Sequence, residues 1–222
     1  MIEIAVNGAC GRMGARIAAL VFEYPELKLV AALERSGNQS IGKDVGLVSG
    51  VGETGIKITM TMNAHADVLI DFSSPESAVA IAEYCARKNI ALVVGTTGLN
   101  AQQHEKIQHF SRQIACLVSP NMSVGVNALF NLVALASKMV GKEFDIEIIE
   151  THHRFKKDAP SGTALRLAEK ICEATDRKMD NDVVYGRNGI TGDRPMNQIG
   201  IHAVRSGDVI GDHTVVFGSL GE

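Results

Sequence analysis

Ile2-Glu3-Ile4-Ala5-Val6-Asn7-Gly8-Ala9-Cys10-Gly11-Arg12-Met13-Gly14 opens the chain, and its reading decides the fold. Residues 2–6 form a short β-rich run, the glycines predict a tight turn, and an amphipathic segment continues to about residue 24. Strand, glycine turn and helix is the setting in which a dinucleotide pyrophosphate rests on a helix N-terminus. The glycines fall as GxxGxxG and not as GxGxxG, and taken alone that spacing also suits close helix–strand packing. Residues 27–33 then predict a second strand ending in Glu34-Arg35, about 20 residues beyond Gly14. There a carboxylate can accept from a ribose 2′-OH and a guanidinium can meet a 2′-phosphate. An exposed, ion-bearing turn is the alternative for that pair.

Residues 36–55, rich in Gly and Ser, predict a mobile loop before a strand at 56–60. Further strands are expected at 66–72, 90–94 and 114–118, with helices from the Ser73-Ser74-Pro75-Glu76 cap to residue 88, over 100–112 and over 128–140. Such alternation means a doubly wound parallel sheet, with ligands at the carboxyl ends of its strands. Gly8 to Gly14, Glu34 and Gly95-Thr96-Thr97 all fall there, although Gly95-Thr96-Thr97-Gly98 is also an ordinary turn sequence.

Residues 144–149 alternate as a strand and lead into Glu150-Thr151-His152-His153-Arg154-Phe155-Lys156-Lys157-Asp158-Ala159-Pro160-Ser161-Gly162-Thr163-Ala164, read as a strand-to-helix loop. Two imidazoles beside a lysine can move protons and hold an anion, and Ser161-Gly162-Thr163 at a helix N-terminus is suited to a carboxylate or phosphate. A solvated basic loop with Ser161 as a plain cap is the other reading. The helix continues over 164–174, residues 176–198 are polar and turn-rich, and 199–204 and 209–217 read as two strands around a Ser206-Gly207-Asp208 turn. That half suits an open mixed or antiparallel sheet. His202 and His213 are expected to face solvent or a subunit, and His65, His104 and His109 to lie on the surface.

The 222 residues, 45% hydrophobic, carry a net charge of −3, which gives no general attraction to nucleic acid or an anionic membrane. Cys10, Cys85, Cys116 and Cys172 are widely spaced and predict reduced thiols without a metal. No apolar run approaches a membrane span and no signal-peptide pattern opens the chain, so a cytoplasmic location is expected.

The block from Glu150 to Ala164 resembles the signature of the dihydrodipicolinate reductase family, and the similarity extends over essentially the whole chain. It implies an α/β protein with an N-terminal Rossmann-like parallel sheet over 1–121 and a C-terminal mixed-sheet α+β domain over 122–222, which binds substrate and forms a homotetramer. It implies NADH or NADPH as cofactor, held by Gly8, Ala9, Cys10, Gly11, Arg12 and Met13, while Glu34 and Arg35, one group suited to each cofactor, predict that both are used. On the nicotinamide side, it points to Gly95, Thr96 and Thr97 and, through the Pro120-Asn121-x-Ser123-x-Gly125-x-Asn127 segment, to Ser119, Pro120, Asn121 and Met122. His152 becomes the acid/base residue, and Lys156 either the proton donor or a partner for a substrate carboxylate. His153, Ser161, Gly162 and Thr163 hold the dicarboxylate. The implied reaction reduces 4-hydroxy-tetrahydrodipicolinate to tetrahydrodipicolinate with loss of water, needs no metal, and is accompanied by closure of a cleft between the domains. In the family the chain continues for about one strand and one helix past the point matching Glu222, so a shortened chain is expected. Another two-domain oxidoreductase, and a non-catalytic dinucleotide-binding protein, are the rival readings.

Overall fold

The computed structural model describes residues 1–222 as two compact units, Met1–Pro120 and Asn121–Glu222. The first holds six parallel strands: β1 (Ile2–Asn7), β2 (Leu27–Leu33), β3 (Ile58–Thr59), β4 (Val68–Asp71), β5 (Ala91–Val94) and β6 (Cys116–Val118). Their order, β3-β2-β1-β4-β5-β6, reverses direction between β1 and β4, the crevice where a doubly wound sheet receives its ligand. Helices α1 (Arg12–Val21), α2 (Val45–Ser49), α3 (Pro75–Lys88) and α4 (Ala101–Ser111) connect them. α3 starts where Ser74 accepts from the Ser77 N–H and Pro75 presets the first turn; Asn89, at φ 54°, ends it. Beneath it Leu69, Ile90, Leu92 and Ile107 are buried, each contributing about 1.5–3 kcal/mol.

The segment expected as a mobile loop is instead organised by one side chain. Buried Asp44 accepts from the Gly46, Thr54 and Gly55 N–H groups at 2.8, 3.1 and 2.7 Å and from the Thr54 hydroxyl at 2.9 Å, and caps α2. Burial pushes its carboxyl up, but these donors outweigh it and hold the group down at about 2. The aperiodic Gly/Ser composition concealed this, because the order comes from one carboxylate and not from an apolar pattern.

The second unit contains α5 (Val124–Val140), β7 (Asp145–His152), α6 (Gly162–Thr175), α7 (Met179–Asp182), β8 (Val183–Tyr185), β9 (Ile199–Arg205) and β10 (Asp212–Gly218). Sheet order is β10-β7-β9-β8, with β7 parallel to β9 and antiparallel to β10. The sheet is mixed, but β9 and β10 do not form the hairpin that their turn suggested. β7 lies between them, so both its edges are hydrogen-bonded while Ile146 and Ile148 are fully buried. β7 also runs three residues further than expected, through His152. Short β8 and α7 lie in the stretch read as turns.

Phe130 and Val133 of α5 join Leu167, Ala168 and Ile171 of α6 over Ile146, Ile148, Ile199 and Ile201. α5 begins four residues earlier than expected, with Ser123 accepting from the Val126 N–H. It also corrects the statement that no run reaches a membrane span: Val124–Glu143, at a mean hydropathy of 1.4, is long and apolar enough by length and composition. Only Phe130, Val133 and Ser137 of α5 are buried, and Leu132, Leu135 and Met139 are exposed.

Candidate active site

In the first unit the glycine turn is shaped by contacts that exclude side chains. Gly8 sits at φ 77°, and a Cβ there would lie 2.3 Å from the Phe72 carbonyl oxygen; one on Gly14 would lie 2.0 Å from the Gly8 oxygen. The Gly8 and Ala9 N–H groups donate to the Leu33 carbonyl, Gly11 to that of Gly8, and Cys10 to the Glu34 carboxylate at 3.1 Å. The turn is thereby folded onto the end of β2. The other Glu34 oxygen accepts from the Arg35 N–H, and Arg35 itself is exposed. α1 has no side-chain cap, so its opening N–H groups at exposed Arg12 and Met13 are left for an anion. Asn7, Gly8, Gly11, Glu34, Arg35 and Phe72 help line a cavity of about 300 Å³. These residues fit a dinucleotide: an uncapped helix start, a turn whose glycines leave no room for a Cβ and a carboxylate meet at one cavity.

Sequence reasoning missed the network beneath this cavity. Fully buried Asp71 accepts from Asn7 at 2.6 Å, Ser73 at 2.6 Å and Thr96 at 2.5 Å. The Thr96 hydroxyl also accepts from the Ser73 N–H, so its side chain is committed to tying strand ends together. A Cβ on Gly95 would strike the Phe72 ring, whereas Thr97 is exposed. Ser119 continues the sheet by donating its N–H to the Val94 carbonyl, with Pro120 exposed beside it.

In the second unit, strand alternation puts Ile146, Ile148, Glu150 and His152 on the covered face of β7. The first two enter the core, and the next two place ionisable groups at its margin. Glu150 is fully buried and Oε2 lies 2.5 Å from His152 Nδ1. Arg205 grips both Glu150 oxygens, at 2.9 and 3.0 Å, and donates to the Asp158 carbonyl at 2.7 Å. The Ser161 N–H donates to Glu150 Oε1 at 3.1 Å. Burial pushes the Glu150 carboxyl up, but Arg205, His152 and the Ser161 N–H outweigh it, and the net direction is down. The carboxylate is therefore ionised.

Ser161 is the N-cap of α6: its Oγ accepts from the Ala164 N–H and lies 2.9 Å from His213 Nε2. His213 stands opposite Glu150 on β10, edge-on to His152 with ring centroids 5.1 Å apart. Burial above all lowers its pKa, which favours a neutral ring beside the Ser161 hydroxyl. Gly162 is exposed, with open space where a Cβ would be, and the Gly162 and Thr163 N–H groups open the helix. Asn121 donates to the Thr163 hydroxyl at 3.2 Å, and Met122 is partly exposed beyond it. Lys156 pairs with Asp158 at 2.8 Å, and His153 Nδ1 is shielded from solvent without a hydrogen-bond partner.

The structure thus brings together His152, Ser161, Gly162 and Thr163, and adds Glu150, Arg205 and His213, to which sequence reasoning gave no role in the site. His213 was expected to face solvent or a subunit. His202 pairs with Glu147 at 2.7 Å on the other face of the sheet, and His65, His104 and His109 are exposed.

The nucleotide-binding sheet and the imidazole–carboxylate centre define a dinucleotide-dependent oxidoreductase built of two units. Residues 2–122 match the family model of dihydrodipicolinate reductase, N-terminus, and residues 125–222 that of dihydrodipicolinate reductase, C-terminus. The chain belongs to the dihydrodipicolinate reductase family. It is 44% identical over 226 residues to the 4-hydroxy-tetrahydrodipicolinate reductase of Hahella chejuensis (strain KCTC 2396), and 41% identical over 225 residues to that of Syntrophus aciditrophicus (strain SB). Both alignments cover 100% of this chain and 84% of the relative. Among solved structures, it is similar to the dipicolinate-bound dihydrodipicolinate reductase of Paenisporosarcina sp. TG-14, with a TM-score of 0.72 and 26% identity, covering 100% of this chain and 85% of that one.

Proposed function

We propose that the chain reduces 4-hydroxy-tetrahydrodipicolinate to tetrahydrodipicolinate, with loss of water, in lysine and diaminopimelate biosynthesis. The observation that carries this reading is the double grip of Glu150, which bonds both His152 and the Ser161 N–H. A proton-carrying imidazole and an anion-binding helix start are thereby held within reach of one carboxylate.

A bound NADH or NADPH supplies the hydride. Gly8, Ala9, Cys10, Gly11, Arg12 and Met13 provide the pyrophosphate turn. Glu34 accepts from the adenosine ribose, Arg35 meets a 2′-phosphate, and together they permit both cofactors. Gly95, Thr96 and Thr97, with Ser119, Pro120, Asn121 and Met122, flank the nicotinamide. Hydride addition leaves negative charge on the ring of the substrate, which a proton must neutralise. His152 exchanges protons as acid and base, and Lys156 delivers one from an ammonium that Asp158 orients. The Gly162 and Thr163 N–H groups donate to one substrate carboxylate at the positive end of α6, while Ser161 holds that turn from below. His153 holds the other carboxylate; its Nδ1 has no hydrogen-bond partner within the protein. The dipicolinate bound by the Paenisporosarcina relative has this dicarboxylate character. The protein acts in the cytoplasm as a homotetramer assembled through the second unit.

The test is oxidation of NADH and NADPH with substrate formed in place from pyruvate and aspartate semialdehyde by the preceding synthase. Oxidation that requires the synthase supports the reading. Dinucleotide binding without oxidation would favour a binding protein instead.

A further inference from the structure

We propose that Glu150, clamped by Arg205, is the positioning residue that holds His152 in its Nδ1–H tautomer and leaves Nε2 to exchange protons. This rests on the reading of His152 as the acid/base group and adds what sets its state.

Three features converge on that imidazole from three segments. On β7, the two-residue period puts Glu150 next to His152, with Oε2 2.5 Å from Nδ1. An ionised carboxylate only accepts, so the nitrogen facing it carries the proton, and in the neutral ring that leaves the other nitrogen bare. On β9, Arg205 is the register partner of His152 and spans both Glu150 oxygens, which fixes the plane of the carboxylate. Before β10, Gly211 clears the far side of the ring: a Cβ there would fall 2.8 Å from His152 Nε2. The imidazole is thus held at one nitrogen and kept free at the other.

A buried carboxylate could instead serve only to join β7 to the Ser161 turn. The two roles separate experimentally. In Glu150→Gln, the amide can present its N–H₂ to Nδ1, so the tautomer preference is lost while the shape is kept. The expected result is a kcat lower by about 100-fold, in the range seen when a ring orienter or the correct tautomer is removed, with the dinucleotide Kd unchanged. Nitrogen NMR of the His152 ring should change from a single Nδ1–H form to a mixture. Glu150→Gln placed in a His152→Ala background should cost nothing more, because its effect passes through that ring. Arg205→Lys keeps the charge without the fork and carries the same readouts should Glu150→Gln fold poorly. A kcat within about 2-fold of the parent, an unchanged tautomer signature, or a full additional loss on top of His152→Ala would overturn the proposal. If His152→Ala itself retained full turnover, the reading of His152 would fall first, and the proposal with it.

Discussion

The two units build their centres from different materials. The turn beside the cavity of the first is set by close main-chain contacts: Gly8 against Phe72, Gly14 against Gly8, and the uncapped start of α1. The centre of the second is made of charged and titratable side chains: Glu150, His152, Arg205 and His213, drawn from β7, β9 and β10. Backbone surfaces suit a large cofactor held by shape and partial charge, whereas proton transfer needs groups that change state. The organising carboxylates differ likewise. Asp44 in the first unit is satisfied by main-chain N–H groups and a hydroxyl, whereas Glu147 in the second is held by Arg187, Arg194 and His202.

That division can be broken at graded points. Lys156→Ala should lower kcat by about 10²–10⁴-fold, the usual range for a general acid, while dinucleotide affinity measured by titration stays constant. Gly8→Ala should do the reverse. With φ positive and the Phe72 carbonyl in the way, the turn must move, costing about 1–3 kcal/mol, or about 5- to 150-fold in dinucleotide Kd by the same titration. Glu34→Ala should weaken NADH by about tenfold and NADPH by less, since the lost carboxylate is the one proposed to accept from the ribose of one and to repel the phosphate of the other. An unchanged NADH to NADPH ratio would remove Glu34 from the ribose site.

The smallest effect is in acid. Burial pushes both Asp44 and Glu147 up, and hydrogen-bonding partners bring both down to about 2, below the ordinary 3.8 and 4.5. A depressed folded value means that the stabilisation is fully present above the ordinary value and is lost as pH falls toward about 2. Amide exchange between about pH 4 and pH 2 should therefore show both units loosening. Asp44→Asn should flatten that trend in the first unit alone, and Glu147→Gln in the second alone.

The same contrast explains what could be read in the chain. Local order in sequence carried the first unit: β2 falls at Leu27–Leu33, α3 begins at its Ser74 cap, and the alternation gives the doubly wound sheet. It failed around Asp44, where a carboxylate at 44 reaches donors at 54 and 55, and periodicity carries no trace of such a contact. In the second unit the block from Glu150 to Ala164 marked the place, and the α6 cap at Ser161 was legible. Arg205 and His213 were not, because their positions depend on strand pairing. Read as a hairpin with β9, β10 would not lie beside Glu150; paired with β7, it brings His213 directly opposite. Two-residue alternation was the available signal: extending β7 through His152 would already have put Glu150 and His152 on one face.

In the reading proposed, dinucleotide binding and proton transfer reside in separate units. The most direct test is His152→Ala, with kcat in the coupled reduction and dinucleotide Kd measured on the same preparation. A turnover lower by about 10²–10⁴-fold with an unchanged Kd is the predicted result. Equal losses in both, or an unaltered kcat, would contradict it.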